Sequence, residues 1–196
     1  LKSTTSWILV LLIGAIGAAG GFWFGSRAST RADAERLITA ATQPSRPPEA
    51  TMTPAPNAVQ TLFATSLDDL GGHSVKLAQY KGKILIVNFW ASWCPPCIAE
   101  MPELSRFYKD HGSKNLQMIG IAIDNPTSVR NFLKARAVSY PVLLGGMGGT
   151  ELSAKLGDNQ GGLPFTVIIA PDGSIVFQKL GQTSYTELLK HLSGTT

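Results

Sequence analysis

ILIVNFWASWCPPC, residues 84–97, is the stretch whose reading decides the fold. Its first seven residues, Ile84 to Trp90, make a continuous apolar run interrupted only by Asn88. A run of that length and character reads as a strand buried on both faces, which places it at the centre of a sheet. Three residues later Cys94-Pro95-Pro96-Cys97 opens a helix, predicted from about Pro95 to Asp110 and ending before Gly112. Proline suits the first helical turn, because the N–H it lacks would have no partner there. At a helix N-terminus the unpaired N–H groups and the macrodipole favour an anion. A cysteine there is held more as thiolate, the species that attacks a disulfide. The i, i+3 spacing puts the two sulfurs one turn apart, within bonding reach.

These are the only two cysteines of the 196 residues. A bridge across a two-residue gap closes almost no loop and removes little entropy from the unfolded chain. The pair is badly placed for stability, which points to chemistry. The net charge of +4 contains no Lys/Arg block and no aromatic–basic interleaving, so nucleic-acid binding is a poor reading. His73, His111 and His191 are scattered without metal-ligand spacing, and no metal site is expected.

Working outward, Leu62 to Thr65 and Ser74 to Leu77 flank Gly71-Gly72 and predict a β-hairpin. Leu116 to Ile123 reads as a second buried strand and Pro126 to Ala137 as a helix with proline in its first turn. A short strand follows at Val142 to Leu144, then a short helix at Thr150 to Leu156. Phe165 to Ala170 and Ser174 to Lys179 are strands joined by the turn Pro171-Asp172-Gly173. Ser184 to Leu192 is a terminal helix, with Ser184 as cap and Glu187 three residues on. The order predicts an α/β domain over 59–196, a mixed central sheet flanked by helices.

The N-terminal part has a different character. Trp7 to Gly25 is 19 residues without a charge. As a helix it would be roughly 28 Å long, about one hydrocarbon core. Residues 1–26 therefore read as a membrane anchor or an uncleaved signal, with Phe22, Trp23 and Phe24 as an interfacial belt. Gly17, Gly21 and Gly25 recur every four residues, a spacing that glycine-rich membrane helices commonly show. Residues 27–58 read as a linker carrying Pro44, Pro47, Pro48, Pro54 and Pro56, extended and semi-rigid. Arg27, Arg31 and Arg36 follow the apolar segment and, by the positive-inside rule, would keep the rest of the chain inside. A large following domain crosses a membrane largely regardless of such charges, so the expectation is an extracytoplasmic domain on a single-pass inner-membrane anchor.

From about residue 59 the chain resembles the thioredoxin superfamily, and within it the membrane-anchored TlpA/ResA/CcmG type. The markers are NFWASWCPPC (88–97), Glu100-Met101-Pro102, Gly162-Leu163-Pro164 and the Pro171-Asp172-Gly173 turn. The resemblance implies a thioredoxin-like fold with an added N-terminal β-hairpin and a central βα insertion. It implies that Cys94 is the exposed nucleophile and Cys97 the resolving thiol, together a redox-active disulfide. It implies that Pro164 is a cis-proline opposite the CxxC, exposing the Leu163 backbone to a substrate strand and keeping metal off the dithiol. Glu100, three residues beyond Cys97, matches a glutamate tied to active-site acidity in ResA-like proteins. Trp93 borders the sulfurs, and Phe165 either adds an apolar face to the substrate platform or points into the core. Asn88 stands where thioredoxin has a buried aspartate, so that proton relay is missing.

The implied activity is a thiol-disulfide oxidoreductase that needs no cofactor, most simply a reductase. Its implied partners are exported disulfide-containing proteins, including apocytochrome c or oxidase copper-site subunits, and a membrane thiol that donates electrons. Two alternatives stay open: a copper-binding chaperone using the CxxC as soft ligands, and an oxidase that donates disulfides.

Overall fold

A computed structural model of the chain describes residues 52–192. The apolar segment at 7–25, the arginines after it and most of the proline-rich linker lie outside the described residues. Among the described residues no helix is long and apolar enough to cross a membrane.

The elements begin with α1 (Ala58–Ala64), β1 (Ser66–Asp69), β2 (Ser74–Lys76) and a 3-10 turn at Leu77–Tyr80. Then come β3 (Ile84–Trp90), α2 (Pro95–His111), β4 (Leu116–Ala122) and α3 (Pro126–Ala135). The chain closes with β5 (Val142–Leu144), α4 (Gly146–Lys155), β6 (Phe165–Ile169), β7 (Ile175–Leu180) and α5 (Tyr185–Leu192). The strands form one mixed sheet in the order β2-β1-β5-β4-β3-β6-β7. β3 pairs in parallel with β4 and antiparallel with β6, so the apolar run is central, as its composition predicts. β5 extends the sheet in parallel with β4, and β1 joins β5 antiparallel, tying the front hairpin to the added βα unit.

Strand alternation divides the core in two. Leu85, Val87 and Phe89 of β3 face one side, where Leu62 and Phe63 of α1, Leu77, and Leu152 and Leu156 at α4 cover them. Ile86 and Trp90 face the other, under Met101, Leu104 and Phe107 of α2, Val129 of α3 and Leu188 of α5. Each such side chain contributes about 1.5–3 kcal/mol on full burial. α2 runs through Pro102 without ending there. At α5, Ser184 N donates to Glu187 Oε2 at 2.9 Å and Glu187 N donates to Ser184 Oγ at 3.2 Å, the reciprocal cap expected from the sequence.

Three expectations are corrected. Leu62 to Thr65 is not the first hairpin strand; those residues end α1. Ala58, Val59, Leu62 and Phe63 lie on one helical face, and all four are buried. The hairpin itself exists, shifted to β1 and β2 with Leu67 opposite Val75. Its turn is held by Asp69 Oδ1, which accepts from Gly71 N at 2.8 Å and His73 N at 2.9 Å. Residues 52–57, assigned to the linker, already belong to the folded body: Met52 packs on the first core and Ala55 N donates to Lys155 O at 2.8 Å. Finally, α4 starts at Gly146, four residues before Thr150. A Cβ on Gly145 would lie 2.6 Å from Ile121 Cγ2 and 3.0 Å from Gly149 Cα, so glycine lets this first turn approach β4 closely.

Candidate active site

The end of β3 delivers Cys94 to the N-cap position of α2, where it is disulfide-bonded to Cys97. Cys94 Sγ accepts from Cys97 N at 3.3 Å, so the first free N–H of the helix is aimed at sulfur. In the reduced protein that donor and the helix dipole favour thiolate on Cys94. Cys94 is 4% exposed and Cys97 is fully covered. Cys94, expected to be exposed, is thus almost enclosed in the disulfide form, though less completely than Cys97. Ser92, just before it, anchors the loop to the end of β4: Ser92 N and Oγ both donate to Asp124 Oδ2, at 3.0 and 2.5 Å.

Beneath the disulfide lies a buried polar set. Glu100 is 4% exposed and lies one turn beyond Cys97 on α2. Its Oε1 accepts from Asn88 Nδ2 at 2.8 Å and its Oε2 from Thr183 N at 2.6 Å. Asn88 Nδ2 also donates to Thr166 Oγ1 at 3.1 Å. Burial raises the Glu100 carboxyl to about 7; the hydrogen bonds from Thr183 and Asn88 and the charge of Lys179 oppose that rise, while Glu187 adds to it. A carboxyl poised near neutrality can take or give a proton without a large energetic penalty. Asn88 Oδ1 has no hydrogen-bond partner among the described residues. Turning the amide over would present that oxygen to a protonated Glu100 and still accept from the Thr166 hydroxyl, so asparagine serves both protonation states. Tyr140, fully enclosed nearby, has its phenol held above the ordinary range by burial first and by the Glu100 charge second.

The rim is formed by Trp93, 66% exposed, and by the loop before β6. The Leu163–Pro164 bond is cis. Pro164 O accepts from Gly181 N at 2.8 Å. Leu163 is half-buried and lies just outside β6, and its backbone N–H and C=O have no partner among the described residues. An extended peptide could pair there. Phe165 is corrected: it is fully buried, on the face of the sheet away from α2, and stacks on Phe89 with ring centroids 6.0 Å apart. Its side chain is core and offers nothing to a substrate.

Sequence reasoning missed Thr166, Thr183 and Asp124 as supports of the site. Asn88 carried a signal, the lone amide in an otherwise apolar strand. Thr183 carried none, being 83 residues from the carboxylate it binds.

The Redoxin family profile matches residues 50–191 of the chain. The thiol-disulfide oxidoreductase ResA of Bacillus anthracis is 32% identical over 72% of this chain and 76% of its own. ResA of Bacillus subtilis (strain 168) is 31% identical over 64% and 67%. A thiol:disulfide interchange protein of the thioredoxin family from Chlorobium tepidum TLS superposes with a TM-score of 0.61 at 28% identity, covering 75% of this chain and 98% of that one. With a cysteine pair at a helix N-cap and a cis-proline just before β6 of this mixed sheet, the chain belongs to the Redoxin family as a ResA-type, thioredoxin-like protein-disulfide oxidoreductase.

Proposed function

We propose that the protein works as a reductase of disulfides in exported client proteins, on the outer side of a bacterial inner membrane. The observation that carries this reading is Cys94 Sγ at the helix N-cap with the Cys97 N–H on it at 3.3 Å, together with the backbone N–H and C=O of Leu163, unpaired among the described residues. The apolar segment at 7–25 supports a membrane tether, and the proline-rich stretch supports a spacer between tether and domain. Tethering raises the effective concentration of the site at membrane-bound clients.

In the reaction, the client strand docks along the Leu163 backbone, with Trp93 as an apolar wall. Cys94 thiolate attacks one client sulfur; the client S–S bond breaks and the other client sulfur leaves as thiolate. Cys97 then loses its proton, with Glu100 as the acceptor one turn away, and attacks Cys94 Sγ. The mixed disulfide breaks, the second client thiolate leaves, and the Cys94–Cys97 disulfide is formed. The client has gained two electrons and the enzyme has lost two. An oxidising compartment does not restore them. A dithiol donor at the membrane therefore has to reduce the enzyme by the reverse exchange. Apocytochrome c and copper-site subunits of oxidases are client classes whose paired cysteines suit this chemistry.

Trapping tests the assignment. Cys97→Ala is expected to accumulate client proteins disulfide-bonded to Cys94, released by reductant on a non-reducing gel, whereas Cys94→Ala accumulates none. Equal trapping by both variants would contradict it. The trapped proteins name the clients.

A further inference from the structure

The peptide group joining Pro96 to Cys97 is held at both ends. Its N–H, that of Cys97, donates to Cys94 Sγ at 3.3 Å. Its C=O, that of Pro96, accepts from Gln182 Nε2 at 3.1 Å. Gln182 is exposed, but its backbone is pinned on both sides. Gly181 N donates to the cis-proline carbonyl at 2.8 Å, and Thr183 N donates to Glu100 Oε2 at 2.6 Å. Gly181 has φ 97°, which lets the chain leave β7 and turn back across the site. Three consecutive residues therefore touch the substrate platform, the turn between the cysteines and the buried carboxyl.

We infer that Gln182 is a positioning residue for Cys94: by donating to the Pro96 carbonyl it orients and polarises the Pro96–Cys97 peptide group, whose N–H then stabilises the Cys94 thiolate. The inference rests on Cys94 being the attacking thiol. A hydrogen bond on a carbonyl strengthens the N–H of the same peptide group as a donor, by ~10–30% per bond. The gain is largest where the acceptor is charged, as the sulfur is once the disulfide is reduced. Losing the Gln182 donor thus disfavours thiolate. The expected size is a rise of about 0.3 pH unit in the Cys94 thiolate midpoint, about twofold less thiolate below it.

The test is a titration of thiolate ultraviolet absorbance in the reduced full-length protein carrying Cys97→Ala, which keeps the peptide N–H and leaves one thiol. Gln182→Met keeps the length of the side chain and removes its donor, while Gln182→Ala removes both. The titratable groups around the site are Glu100 on α2, Tyr140 before β5, Lys179 on β7, Glu187 on α5 and Asp124 at the end of β4. They are common to all three proteins, so differences report residue 182. Both variants are expected to raise the midpoint by about 0.3 pH unit with an unchanged melting temperature. Midpoints that stay put or fall in both overturn the inference. So does a rise in Gln182→Ala alone, which would assign the effect to side-chain bulk. The titration uses no client and no electron donor, so it is read independently of the trapping experiment on which the reductase reading depends.

Discussion

The two faces of the sheet bury apolar side chains alike and differ in what else they bury. The face under α1 and α4 is lined by Leu62, Leu85, Val87, Phe89, Phe165 and their neighbours; its buried polar side chains, Ser153 and Asp158 at the end of α4, are hydrogen-bonded to each other at 3.3 Å. The face under α2 encloses Asn88, Glu100, Thr166 and Thr183 as well. It also leaves Asn88 Oδ1, Trp90 Nε1, Tyr140 OH and Thr183 Oγ1 without a hydrogen-bond partner among the described residues. Buried polar atoms in that state cost stability. The first face is held mainly by apolar packing, and the second gives up some stability to bury a carboxyl one turn from Cys97. The same strand serves both, because alternate residues of β3 point to opposite sides.

The largest expected effect lies on the face under α1 and α4. Phe89→Ala removes a fully buried ring and its stack with Phe165. Denaturant unfolding of the oxidised protein should register a loss of about 3–5 kcal/mol, while the folded fraction keeps its Cys94–Cys97 reduction potential. A changed potential would mean that the two faces are not separable.

Next is Glu100→Gln. In the folded protein the carboxyl titrates at about 7, against 4.5 for an unhindered glutamate. Native Glu100 therefore holds its proton more tightly than the unfolded chain does. Stability from the neutral form is full below about pH 4.5, is lost as pH rises to about 7, and then stays level. The difference amounts to about 3 kcal/mol. Unfolding free energies measured across this window should fall in the wild type relative to Glu100→Gln, and the variant should resolve mixed disulfides more slowly. Parallel pH profiles would remove Glu100 from the proton account.

Tyr140→Phe comes third. It deletes a buried hydroxyl that makes no hydrogen bond among the described residues, so stability should stay within about 1 kcal/mol or rise. A loss well beyond that in thermal unfolding would mean that the hydroxyl is a working member of the polar set. The smallest effect on stability is expected for Trp93→Ala at the exposed rim, within about 0.5 kcal/mol. Its signature should be weaker client binding, seen as a raised KM in disulfide turnover. An unchanged KM would place the client elsewhere.

Much of this was legible in the chain, for identifiable reasons. ILIVNFW announces a central strand because the run is short, rich in β-branched and aromatic residues and apolar on both faces, and β3 is that strand. CPPC after it announces a helix N-terminus because proline is tolerated there and cysteine is useful there. The β-hairpin is legible but its first strand is not, since Leu62 and Phe63 are as apolar as strand residues. Only their spacing from Ala58 and Val59 marks a helix. Phe165 could not be assigned to core or platform from its position beside Pro164, because the register with Phe89 decides which way it points. The supports of Glu100 were out of reach for a different cause: Asn88, Thr166 and Thr183 lie on three separate segments, and no local pattern joins them.

The central claim is that the Cys94–Cys97 pair runs in the reducing direction, and its equilibrium reduction potential tests that most directly. Fluorescence of Trp93 during equilibration with glutathione or dithiothreitol would follow it. A value toward that of thioredoxin, roughly −270 mV, is the predicted result and directs attention to the electron donor. A value toward that of a strong oxidant, roughly −120 mV, would contradict the account and make the protein a donor of disulfides.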